Sequence, residues 1–147
     1  MATTFERVPA HTSEEVNRQI EAEIAERVQR IATQPASIPV RLRELAEEWD
    51  IERAIEANAS SIVFIGVLLG FFVHPYWLAL PALVAAFLFQ HAVQGWCPPI
   101  PVLRRLGFRT AHEIEKERNA LKALRGDYDG VTQSPNKAAA ALRAAEA

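Results

Sequence analysis

The chain has one cysteine, Cys97, which excludes an internal disulfide and any paired-thiol zinc or redox site. No arm has a one-sided excess of Lys and Arg, and the net charge is -2, so nothing points to a nucleic-acid partner. Residues 1–9 contain Glu6 and Arg7 and no apolar run, so no cleavable leader is expected there. The largest absence is charge: residues 57–103 run 47 positions without Asp, Glu, Lys or Arg, between segments dense in all four. Such a stretch exceeds the about 20 residues of one membrane helix and suits two joined by a tight turn. It leaves no large water-soluble core.

The expected fold is an all-α membrane protein, a two-helix transmembrane hairpin with amphipathic cytoplasmic helices on both sides. Residues 1–56 form a helical arm, residues 57–108 the hairpin with a Cys-Pro turn, residues 109–126 a short helix and residues 127–147 a flexible tail. In the arm, Thr12 and Glu15 have capping-box spacing, and Val16, Ile20, Ile24, Val28 and Ile31 follow as a narrow apolar stripe. Pro35 and Pro39 mark a connector. A second arm helix places Leu42, Leu45, Trp49 and Ile55 on one face, suited to a membrane surface, to the first helix or to a second copy.

The first span is expected at residues 57–73, where Ile62, Phe64, Leu68, Phe71 and their neighbours favour insertion by several kcal/mol, at about 0.3–0.6 each. Pro75 opens the second span, residues 76–96, whose regular helix would measure about 31 Å. Tyr76 and Trp77 mark one interface and Trp96 the other, with Trp49, Arg104 and Arg105 as further anchors. Pro98, Pro99 and Pro101 argue against helix beyond it. Thr110 and Glu113 set the next helix start, and Ile114, Leu121 and Leu124 give it an apolar stripe. Arg41, Arg43 and Arg53 precede the hairpin, Arg104, Arg105 and Arg109 follow it, and the turn has none, so both arms are expected in the cytoplasm.

Gly66 and Gly70 form a GxxxG, and Ala82 and Ala86 a small-residue face on the second span. These serve either packing within the hairpin or dimerisation. Gln90, His91 and Gln94 are the strongly polar side chains of the second span, fit for interhelical hydrogen bonds, interfacial solvation or a ligand or proton path. His74 lies at the opposite end from His91, so one hairpin cannot offer two haem ligands at one depth. Cys97 is either a small apolar residue in a proline-rich turn or a reactive thiol; nearby arginines favour its thiolate and a helix C-terminus opposes it. Neither a catalytic constellation nor a metal or cofactor site is read from the chain.

The run Gly95, Trp96, Cys97, Pro98, followed by Leu103, Arg104, Arg105, Leu106 and Gly107, resembles the end of the YgaP-like transmembrane domain. That family comprises small bacterial inner-membrane hairpins of largely unassigned function, and the resemblance covers residues 50–108. Some members carry a rhodanese sulfurtransferase ahead of the hairpin. Residues 1–56 are too few for one and contain no cysteine, so the resemblance implies architecture and pairing in the membrane rather than sulfur transfer. The expected function is a non-enzymatic inner-membrane anchor for self-association or partner docking. The alternative is a membrane-surface thiol protein that uses Cys97 with a separate sulfurtransferase. A pore would require a symmetric oligomer.

Overall fold

The computed structural model describes residues 6–146; residues 1–5 and 147, and with them part of the leader and tail expectations, lie outside the described residues. All regular structure in the described part is helical: α1 (Arg7–Ala10), α2 (Glu14–Ala32), α3 (Ile38–Glu47), α4 (Ile51–Phe72), α5 (Ala79–Gln94), α6 (Ile100–Arg105), α7 (Ala111–Arg125) and α8 (Lys137–Glu146). Two helical stretches, Pro35–Phe72 and Pro75–Gln94, are long and apolar enough to cross a membrane. Only 22% and 6% of their apolar windows is buried within the protein. The chain divides into two compact units, residues 1–20 with 49–111 and residues 21–48 with 112–147.

In the first unit, α4 and α5 lie side by side. Asp50 starts α4 by accepting a hydrogen bond from the Arg53 amide at 2.7 Å. This break separates Trp49 and Ile55 from α3, so the single face expected for Leu42, Leu45, Trp49 and Ile55 does not form. Along α4, Ile51, Ile55, Ala59, Gly66 and Gly70 are buried, a ridge at multiples of roughly four residues that meets α5. A Cβ on Gly66 would lie 2.7 Å from Cδ of Pro81, and one on Gly70 2.5 Å from Cδ2 of Leu78. The glycines therefore serve contact within the chain. Ala82 and Ala86, expected opposite them, are exposed, because Leu78 and Pro81 occupy that face.

The turn between the helices is tight. His74 Nδ1 accepts the Tyr76 amide at 3.3 Å, and Pro75 opens a 3-10 turn, Pro75–Leu78, that leads into α5. At the other end Gly95 adopts φ +78°, where its amide closes α5 on the His91 carbonyl at 2.7 Å. The helix expected through residue 96 thus stops at Gln94. The prolines beyond it do not prevent α6: Pro101 sits in the first turn, where amides have no partner within the helix. At the start of α2, Ser13 rather than Thr12 precedes the helix, and the Thr12 hydroxyl donates to the Val8 carbonyl at 2.8 Å.

In the second unit, Ile31, Ile38, Leu45, Ile114 and Leu121 form a core flanked by Val28 and Leu42. Beside it Glu117, fully buried, accepts Nε of Arg41 at 2.8 Å and Nη1 of Arg27 at 3.1 Å. Two guanidinium groups offset the desolvation of one carboxylate. The segment expected to be flexible carries α8, with Ala144 buried and Nζ of Lys122 donating to the Ala145 carbonyl at 2.6 Å. Alanine supplies the helix propensity that the missing apolar stripe does not.

Substitution tests the two glycine contacts. Gly66→Ala presses on a rigid pyrrolidine ring, and Gly70→Ala meets both Cγ and Cδ2 of Leu78, at 2.7 and 2.5 Å, so neither neighbour yields by turning one methyl. Each variant is expected to cost about 1–3 kcal/mol. Chemical unfolding in micelles measures both; a cost below about 0.5 kcal/mol for either would show that its neighbour shifts freely.

Candidate functional site at the open end of the helix pair

The open end of the pair, opposite the His74 turn, gathers most of the polar groups of the first unit. Within α5, His91 is 8% exposed. Its Nε2 is hydrogen-bonded to Oε2 of Glu52 in the first turn of α4 at 2.5 Å. Nδ1 of His91 is buried with no hydrogen-bond partner among the described residues. Gln90 is half-buried and Gln94 exposed, and their side chains face each other at 3.5 Å. Of the three polar residues expected in this span, only His91 bridges the helices.

The C-terminal carbonyls of α5 are capped from α1. Nη1 of Arg7 donates to the Ala92 carbonyl at 2.7 Å, and Nε2 of His11 donates to the Gln94 carbonyl at 3.1 Å. A cation at this terminus also interacts favourably with the negative end of the helix dipole. The fit is close: a Cβ on Gly95 would lie 2.4 Å from Cβ of Arg7. Neither Arg7 nor His11 carried a signal of this role in sequence, since their acceptors lie 85 and 83 residues away.

Cys97 is 5% exposed and packs with Val8, Ile51, Ile55 and Ile100, with Phe87 and Leu103 against the cluster. Burial pushes its thiol above the ordinary range, so thiolate forms only at higher pH. It also borders an apolar groove of about 220 Å³ between α4 and α5, shared with Ala59, Ile62, Leu83, Phe87 and Pro99. Arg104, expected as an interface anchor and as the cation near this thiol, is 1% exposed. Its Nη1 donates to the Phe108 carbonyl at 3.2 Å and its Nη2 to Asn17 Oδ1 at 3.0 Å, so it ties the chain after α6 to the start of α2.

Arg105 is exposed, as are Tyr76 and Trp77 at the turn. Trp96 is half-buried and meets Phe87 edge-on at 6.3 Å. Trp49 lies outside α3, with the Arg53 guanidinium 4.3 Å above its ring. The Glu52–His91 contact carried no signal in sequence, since its partners are 39 residues apart. No protein-family model, curated protein or solved structure matches the chain.

Alkylation reports on the thiol directly. In the intact protein at neutral pH, Cys97 is expected to react with iodoacetamide at least about tenfold more slowly than in the unfolded chain, and faster as pH rises. Equal rates would place the thiol in solvent.

Proposed function

We propose that this chain is a non-enzymatic membrane anchor: a helical hairpin of the YgaP-like kind, seated in the bacterial inner membrane, that holds amphipathic helical arms at the cytoplasmic face. The supporting observation is that two long apolar helices pack on each other through one narrow ridge and leave Phe64, Phe71 and Phe89 66%, 81% and 73% exposed. Side chains of this size in contiguous exposed patches call for a non-aqueous surrounding. Exposed arginines at the open end, Arg53 and Arg105, and the uncharged turn at residues 74–78 support an orientation with both arms inside. The second unit has its own apolar core and serves as the surface for self-association or for a docked partner. The alternative thiol role gains little support from a buried Cys97 with a raised pKa.

Fractionation and labelling test this reading. The protein is expected to resist alkaline carbonate extraction and to dissolve only in detergent. In a Cys97→Ala background, Tyr76→Cys is expected to react with an impermeant maleimide in intact cells, and Arg105→Cys only after permeabilisation. Carbonate release, or labelling of both positions from one side, would overturn it.

A further inference from the structure

We propose that the helix pair is built for a bilayer whose hydrocarbon core is thinner than the average of about 30 Å, close to about 24 Å. The inference rests on the membrane reading and adds the kind of membrane. On α4 the last charged residue before the apolar stretch is Glu56, and residues 57–72 rise about 24 Å as α-helix. On the other helix the 3-10 turn Pro75–Leu78 and residues 79–89 also rise about 24 Å before Gln90 and His91 are reached.

The two lengths come from different residues and different helix types. Glu52 and His91, five and two residues beyond the two boundaries, join at 2.5 Å, while His74, Tyr76 and Trp77 close the other end. Inside the shorter limits Ser60 and Ser61 donate to the Ala57 carbonyl at 3.1 and 2.7 Å, and Asn58 is exposed one residue in from the boundary. The occupant of the surface is lipid rather than a second copy because the exposed faces point apart. Phe64, Leu68 and Phe71 lie on α4 opposite the glycine ridge, and Leu83 and Phe89 lie on the outer side of α5. One docked copy covers one of these faces; a bilayer covers both. Tilting the pair only shortens its projected length.

Reconstitution of the full chain into phosphatidylcholine vesicles with acyl chains of about 14, 18 and 22 carbons tests this, using flotation and then tryptophan quenching by bromine-labelled lipids for relative affinity. Affinity is expected to be highest for the shortest chains and at least about threefold lower for the longest. Glu56→Leu combined with Gln90→Leu lengthens the apolar belt at exposed or half-exposed positions and is expected to move the optimum to longer chains. An optimum at the middle or long chain, a flat profile, or an unmoved optimum in the variant overturns the inference while flotation still upholds the membrane reading. Failure to float with any vesicle overturns both.

Discussion

Close approach of α4 and α5 along the Gly66 and Gly70 ridge is the contact on which the first unit depends, because it is narrow. Two small residues bring backbones together and gain dispersion contacts, but they bury little apolar area. The large side chains of both helices are therefore left on the outside, and only 22% and 6% of the two apolar windows is buried within the protein. At the turn the amides of Val73 and His74 both reach the Leu69 carbonyl and that of Trp77 the His74 carbonyl, so backbone bonding continues from one helix to the next.

The polar chemistry is concentrated at the open end of the pair. Asp50 caps α4, Glu52 is hydrogen-bonded to His91, and Arg7 and His11 supply donors to the last carbonyls of α5. Three of these contacts pair helix-terminal backbone groups that have no partner within the helix, and the fourth joins α4 to α5. Cys97 lies under this layer, covered by Val8, which accounts for its burial as packing rather than chemistry. The second unit solves a different problem, folding charged helices around a small apolar core with Glu117 held between two arginines.

Helix content and the two apolar helices were legible because composition alone carries them: 47 uncharged residues, aromatic residues at their ends and Pro75 at the turn. Side-chain destinations were less legible. Arg104 and Arg105 are adjacent and chemically identical, yet one is buried against Asn17 and the other is exposed, a distinction set by which face α6 presents. Helix α6 is not legible from its prolines, which break a helix interior but are tolerated in a first turn. The alanine-rich end lacks an apolar stripe and so suggests a flexible tail, whereas its helix draws on propensity and on Lys122. Residue size alone pairs Ala82 and Ala86 with the glycines, but Leu78 and Pro81 hold that face.

Lipid covering the exposed faces of α4 and α5 is what the proposed membrane anchor requires. The direct measurement is labelling of reconstituted protein by an apolar carbene precursor dissolved in the bilayer, read residue by residue by mass spectrometry. A lipid-covered pair gives label on Phe64, Phe71, Leu83 and Phe89 and none on Ile51, Ile55, Leu45 or Leu121. Absence of label from the first group, with those residues open to hydroxyl-radical oxidation from water, would contradict it.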